Sequence, residues 1–98
     1  MVSIIPNQYQ IEGTILSVRK DVEPDHFALL TIEVNKKKLL KGPEEWLKDI
    51  EDPFKAYLQE ESIKEHHLKK GMHLRCVVRR TPDRFFILPD SVKGMSDE

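Results

Sequence analysis

Cysteine is almost absent from this chain, which has Cys76 alone among its 98 residues. A single cysteine cannot form an internal disulfide, so the sequence excludes a small disulfide-stabilised scaffold and favours a reducing compartment. Long apolar runs are also missing, since none approaches the roughly 20 residues that a membrane-spanning helix needs. The amino-terminal MVSIIPNQ has no basic segment and is not interpreted as a signal peptide. These absences predict a cytoplasmic protein without membrane association.

The chain also lacks a strong net charge, because 16 basic and 17 acidic residues leave a formal charge of −1 at pH 7. An argument for binding to nucleic acid must therefore come from the local distribution of charge. The apolar fraction of 39% is sufficient for one hydrophobic core in a chain of this length. We predict a single domain over residues 1–98, with a core of about 8–92 and a flexible polar tail at 93–98.

The first half of the chain shows the period-two alternation that is typical of β-strands. Residues 8–19 (QYQIEGTILSVR) alternate in this way, but the apolar phase changes just after Gly13, which predicts a bulge or bend there. The charged stretch 20–26 predicts a loop, and 27–35 (FALLTIEVN) predicts a second strand. The lysine-rich segment 36–41 (KKKLLK) is interpreted as a short third strand at an edge.

The apolar period changes over residues 43–58. At 100° per residue, six apolar residues fall within an arc of about 120°, which predicts an amphipathic helical segment. These residues are Trp46, Leu47, Ile50, Phe54, Tyr57 and Leu58. Pro43 suits a first helical turn. Pro53 predicts either a kink or a second helix with Asp52 as its N-cap, and both alternatives stay open.

The last apolar runs predict a hairpin around the turn at 81–84 (TPDR). In the first of its strands, alternation places Met72, Leu74, Cys76 and Val78 toward the core. The other face of that strand then carries His73, Arg75 and Arg79. The partner strand covers residues 85–88 (FFIL).

The order of these elements is strand, strand, short strand, helix, strand, strand. With IEGTILSV and its mid-strand glycine, FALLTIEV after a loop, and LKKGMHLRCVV opening the last hairpin, this order resembles the OB-fold. The resemblance covers roughly residues 8–92. It implies a mainly β, five-stranded Greek-key barrel with one helical segment between strands three and four. A differently connected small α+β sheet is the alternative.

Local charge supplies the functional hypothesis. Residues 43–67 hold eight acidic residues and three lysines, a net of −5, so the rest of the chain carries +4. A groove for single-stranded nucleic acid needs cations for phosphates and exposed aromatics for stacking. The candidate phosphate contacts are Lys36, Lys37, Lys38, Arg75, Arg79 and Arg84. The candidate stacking residues are Phe27 and Phe86. The OB-fold resemblance favours a non-enzymatic module that binds single-stranded DNA or RNA, alone or in a larger complex.

Two alternatives compete with nucleic-acid binding. The first is that these cations only solvate strand faces and protect sheet edges from pairing. The second is a protein-interaction module that binds a partner protein or forms a homodimer. Trp46 is the residue to consider as an interface anchor in that case, although its position in the apolar stripe favours the core.

Catalytic and metal chemistry find little support in the sequence. His66, His67, His73 and Cys76 lie close together, but their spacing does not match a zinc motif. Cys76 shares its phase with core residues, and nothing nearby predicts a reactive thiolate. We therefore expect no enzyme activity, no metal site and no cofactor.

Overall fold

Six β-strands and three short helical segments make up the fold in a computed structural model, which describes residues 7–20, 22, 25–81 and 84–95. Five of the strands close into a barrel, and the sixth pairs with one of them. The strands are β1 (Gln8–Arg19), β2 (Phe27–Lys41), β3 (Phe54–Gln59), β4 (His73–Arg80), β5 (Phe85–Ile87) and β6 (Lys93–Met95). A helix α1 (Glu60–Glu65) and two 3₁₀ helices (Glu44–Asp49 and Pro89–Ser91) complete the fold. Within these ranges, no helix has both the length and the apolar character needed to cross a membrane.

The barrel closes in the strand order β1-β2-β3-β5-β4, with β4 pairing back to β1. All neighbouring strands are antiparallel except β3 and β5, which are parallel. The helix α1 connects β3 to β4. This arrangement confirms the predicted mainly β class, the five-stranded barrel and the helix between strands three and four. It is consistent with an OB-like fold.

Alternate residues of the long strands point into one apolar core, as the period-two patterns predict. From β1, β2 and β4, the fully buried side chains include Tyr9, Ile11, Ile15, Leu30, Ile32, Leu74, Cys76 and Val78. Burying a large aliphatic side chain contributes about 1.5–3 kcal/mol. The predicted alternation of β2 and β4 is therefore confirmed, and the opposite faces form the outside of the barrel. In β1 the buried phase continues past Gly13 to Ile15 and Leu16 is 37% exposed, so the predicted change of phase just after Gly13 is wrong.

Gly13 lies at a close approach of β2 to β1, at an irregular point of their pairing. The β1–β2 register shifts between Glu12 and Gly13 and again between Ile15 and Ser17. A Cβ atom on Gly13 would lie 2.0 Å from the carbonyl oxygen of Glu33, so only glycine fits. The predicted bulge is confirmed.

The helix predicted over residues 43–58 is largely wrong. Only Glu44–Asp49 is helical, as a 3₁₀ helix, and Phe54–Gln59 is strand β3. Phe54, Ala56 and Leu58 are buried in alternation, and β3 pairs with the first half of β2. Backbone pairing with β2 thus selects period two over the apolar spacing that also fits a helix.

The predicted third strand and the predicted tail also need correction. The segment 36–41 is the second half of β2, which pairs with the start of β1. Lys93–Met95 form β6 on β4, whereas 96–98 lie outside the described residues. In the turn at 81–84, the backbone N–H of Thr81 donates to the carbonyl of Arg84 at 2.8 Å. Pro82 of this turn, and Pro24 of the predicted loop at 20–26, lie outside the described residues.

Ser91 joins β5 and β6 along one edge of β4. Both short strands pair with β4 on this edge, and the 3₁₀ helix Pro89–Ser91 separates them. The backbone N–H of Val77 donates to the Ser91 hydroxyl at 2.8 Å, and that hydroxyl donates to the Leu88 carbonyl at 2.6 Å. A side chain therefore supplies the acceptor that the interrupted ladder lacks.

Candidate nucleic-acid interface

Five outward-facing side chains form a row across the barrel, which we call the aromatic row. The register places Arg19 opposite Leu29, Leu29 opposite Tyr57, Tyr57 opposite Phe86, and Phe86 opposite Arg79. Each of these residues precedes or follows an inward-facing residue of its strand, so its side chain points outward. With neighbouring strands about 4.8 Å apart, the four steps of the row span roughly 19 Å.

Three aromatic rings meet at the centre of this face. The Phe27 and Phe86 ring centroids are 5.5 Å apart with an interplanar angle of 73°, an edge-to-face contact. The Tyr57 and Phe86 centroids are 5.7 Å apart at 41°. All three residues are half-buried, as is Leu29, so part of each remains on the surface. The result is a continuous apolar patch on the outside of the barrel.

Four cations surround these rings. The guanidinium carbon of Arg84 lies 5.0 Å from the Tyr57 ring centroid, a cation–π contact. Arg19 and Arg79 are exposed at the two ends of the aromatic row. Lys55 is exposed on β3 one pleat away, opposite Thr31. Among the described residues, neither the aromatic row nor the row of Lys55 contains an acidic residue.

The aromatic row, the ring of Phe27 and the four cations together form an outer surface that we call the aromatic face. An acidic groove borders this face at Phe27. It has a volume of about 510 Å³ and is lined by Asp25, Glu60 and Glu61 together with Phe27, and also by His26, Gln59 and Lys64. Three carboxylates against one lysine give this border a negative charge at pH 7. A phosphate is therefore repelled here and attracted toward the arginines on the far side of the rings.

The other predicted cations occupy a second surface, which we call the basic row. Lys36 on β2 is opposite Glu12 on β1, Glu12 is opposite Arg75 on β4, and Arg75 is opposite Lys93 on β6. Lys38 is one pleat away on β2, opposite Gln10. The predicted site residues therefore divide: Phe27, Phe86, Arg79 and Arg84 lie on the aromatic face, whereas Lys36, Lys38 and Arg75 lie on the basic row.

Lys37 has a structural role. Its ammonium donates hydrogen bonds of 3.1 Å to the carbonyl oxygens of Leu47 and Ile50, at the end of the 3₁₀ helix Glu44–Asp49. These carbonyls follow the pattern of helix C-termini, which attract cations. Lys37 thus joins β2 to the segment that precedes β3, and it also lines a groove of about 410 Å³ together with Lys36 and Lys38.

Sequence reasoning missed three members of the aromatic face. Tyr57 and Lys55 lie in the segment that the helical periodicity assigned to one helix, and only its identification as a strand turns both outward. Arg19 reaches the row because three register shifts between β1 and β2 set its position opposite Leu29. The alternation in FKAYLQ (54–59) was the available signal for the first two residues.

Other polar groups of the described barrel serve its packing. The Arg80 guanidinium lies 4.9 Å from the Trp46 ring centroid and forms an ion pair with Asp49, so Trp46 is covered on one side. Trp46 also packs against the core. The Tyr9 hydroxyl donates to the Pro43 carbonyl at 2.8 Å. Burial raises the pKa of Tyr9, with Arg80 lowering it and Asp49 raising it further.

The one cysteine and the candidate metal ligands do not form a reactive centre in the part of the chain that the structure describes. Cys76 is buried, and burial raises the pKa of its thiol to about 12, so the thiolate needed for attack is not formed near neutral pH. Among residues 7–20, 22, 25–81 and 84–95, no three His, Cys, Asp or Glu side chains converge in a way that would hold a metal ion.

Comparison with known proteins adds no relative: no family model matches the chain, and neither a curated protein nor a solved structure matches it significantly. A barrel of this kind supports many functions. The functional argument therefore depends on the chemistry of the two outer surfaces.

Proposed function

We propose that this protein is a non-enzymatic module that binds single-stranded DNA or RNA across the aromatic row. The observation that carries this proposal is the clustering of three half-buried rings and four cations on one outer face of the barrel. Every nucleobase has a π-face, so rings of this kind bind single strands with little sequence preference. Arginine and lysine side chains neutralise the phosphates that accompany the bases.

The charge around the rings favours one orientation of the bound strand. Bases stack at Phe27, Tyr57 and Phe86, while phosphates lie on the side of Arg79 and Arg84. The carboxylates of the groove beside Phe27 oppose a phosphate on the other side. The backbone is therefore expected to follow the end of β4 and the turn before β5.

Fluorescence anisotropy with labelled single strands tests the proposal directly. Strands of about 12 nucleotides, one of deoxythymidine and one of uridine, match the length that a single OB-type barrel covers. The four cations around the rings should contribute about −2.8 to the slope of log K against log salt concentration, so we expect a slope of at least that magnitude. The absence of binding at low salt would contradict the proposal.

A ring deletion provides the specific variant for the same measurement. We expect Phe86→Ala to weaken binding by about 1–3 kcal/mol, the loss measured when a stacking aromatic is removed. Leu40→Ala is the control, because Leu40 is 43% exposed on β2 and does not belong to either row. If both variants bind like the wild type, the aromatic row is not the site.

A protein-interaction module is the second candidate, because the composition of the same face also suits a protein partner. Aromatic and arginine side chains are enriched at the energetic centres of protein interfaces, and the acidic groove beside Phe27 complements a basic segment of a partner. In that case, a stoichiometric partner would co-purify after nuclease treatment, and single strands would not compete with it.

A further inference from the structure

The outer face of β4 connects the two surfaces. His73, Arg75, Val77 and Arg79 point outward from this strand, since they alternate with the buried Leu74, Cys76 and Val78. Arg79 ends the aromatic row, and Arg75 belongs to the basic row. Two-residue steps along an antiparallel strand cover about 6.8 Å, so these two arginines are about 14 Å apart along one face.

We infer that a bound single strand continues from the aromatic row along β4 onto the basic row. There the protein contacts the phosphates of the strand but not its bases. This inference rests on the proposed function and extends its site to Arg75, Lys93 and Lys36. The path runs from Arg79 past Val77 to Arg75. From there it reaches Lys93 on β6 and, across Glu12, Lys36 on β2.

The charges along this path favour a polyanion. Lys36, Lys38, Arg75 and Lys93 supply four positive charges, while Glu12 lies between Lys36 and Arg75. Asp90 lines the groove of about 330 Å³ that also contains Arg75 and Lys93, and the exposed Glu33 lies one pleat away on β2, so the local sum is +1. Within the described residues, none of these four cations forms an ion pair or hydrogen bond. They are available to phosphates.

The basic row carries no aromatic side chain, which sets its role apart from that of the aromatic row. Because it has no stacking surface, this part of the site binds the sugar-phosphate backbone of the strand, and the bases remain in solvent. The acidic groove at Phe27 disfavours extension of the strand across that border. The occupied length therefore exceeds the few nucleotides that three rings can stack.

Two strand lengths separate the aromatic row from the basic row. A labelled strand of about 4 nucleotides covers the rings, and one of about 12 nucleotides covers both surfaces. For Arg75→Gln/Lys93→Gln, we expect unchanged binding of the short strand and roughly tenfold weaker binding of the long strand. The salt slope for the long strand should decrease in magnitude by about 1.4, since two phosphate contacts are lost.

The matched control is Lys48→Gln/Lys69→Gln, which removes the same charge from exposed positions outside both rows. Equal affinity of the wild type and Arg75→Gln/Lys93→Gln for the long strand would overturn the inference while leaving the aromatic row in place. An equal loss in the control would also overturn it, because only total charge would then matter. If the wild type binds neither strand, the proposed function itself fails.

Discussion

The guanidinium of Arg84 lies over the ring of Tyr57, 5.0 Å from its centroid, so the turn before β5 is joined to the middle of β3. β3 and β5 are parallel neighbours in the barrel, and the register pairs them at Tyr57 and Phe86 alone. Arg84 therefore strengthens the shortest junction in the sheet. It also places a positive charge directly beside the rings of the aromatic face.

A double-mutant cycle should detect this contact. We expect Arg84→Gln and Tyr57→Leu to couple by about 0.5–1 kcal/mol in the free energy of unfolding, the range for cation–π pairs at exposed sites. Urea denaturation of the wild type, both single variants and the double variant provides the four values. Tyr57→Phe is the control, because it keeps the ring and should preserve the coupling. Strictly additive effects would mean that the two side chains do not interact.

Gly13→Ala should be severely destabilising. The new Cβ atom would lie 2.0 Å from the carbonyl oxygen of Glu33, a backbone atom that cannot rotate away. We expect a loss of at least about 3 kcal/mol, the upper range for overpacking. Gly94→Ala is the comparison, because its Cβ would meet only the terminal methyl group of Met72, at 2.6 Å. A similar loss in thermal or urea unfolding for both variants would contradict this explanation.

The buried thiol of Cys76 should make stability depend on alkaline pH. Its pKa is raised in the folded protein from 9.0 to about 12, because burial disfavours the thiolate. Below pH 9 the thiol is protonated in both states, whereas above it the unfolded chain loses the proton first. This contribution to stability is therefore lost progressively between about pH 9 and 12.

Comparison with Cys76→Val isolates the thiol from Tyr9, whose pKa is also raised. Between about pH 8 and 10, the unfolding free energy of the wild type should fall by about 1.4 kcal/mol more than that of the variant. Thiol reagents should also modify Cys76 only after unfolding. Rapid modification of the native protein at pH 8 would show that the thiol is accessible.

Lys37 and Lys38 are adjacent, but they should respond differently to substitution. Lys37→Gln removes two hydrogen bonds to the carbonyls of Leu47 and Ile50, so we expect a loss of about 1–2 kcal/mol in stability. Lys38→Gln should leave stability within about 0.5 kcal/mol, as is usual for exposed substitutions. Urea denaturation of the two variants makes the comparison. Equal stabilities would show that the Lys37 contacts contribute nothing measurable.

The outline of the barrel was predictable because β1, β2 and β4 each bury one face only. Their period-two patterns identified the core residues and the glycine bulge. The same logic failed for β3, because Phe54, Tyr57 and Leu58 have the spacing of a helical stripe and Tyr57 adds an apolar residue to the outer face. A short strand with apolar residues on both faces cannot be distinguished from a helix by periodicity.

The candidate site was only partly predictable for a related reason. Four of the predicted site residues lie together: Phe27, Phe86, Arg79 and Arg84. Their positions beside the predicted loop at 20–26 and the predicted turn at 81–84 were the signal in the sequence. Which cations join them depends on the register between strands, and bulges in both β1 and β2 set that register. A shift of one residue moves a side chain to the other face. Because this register cannot be obtained from the sequence, Lys36 and Lys38 were predicted to share one site with the rings, whereas they lie on the basic row.

The hydroxyl of Ser91 has a consequence for motion as well as for pairing. It binds the amide of Val77, the residue midway between Arg75 and Arg79. Without this acceptor, the centre of β4 would have an unsatisfied amide at its open edge and would exchange its proton with solvent more readily. The serine thus stabilises the segment of β4 between the two arginines against local opening, so the Val77 amide should be among the slowly exchanging protons of the sheet.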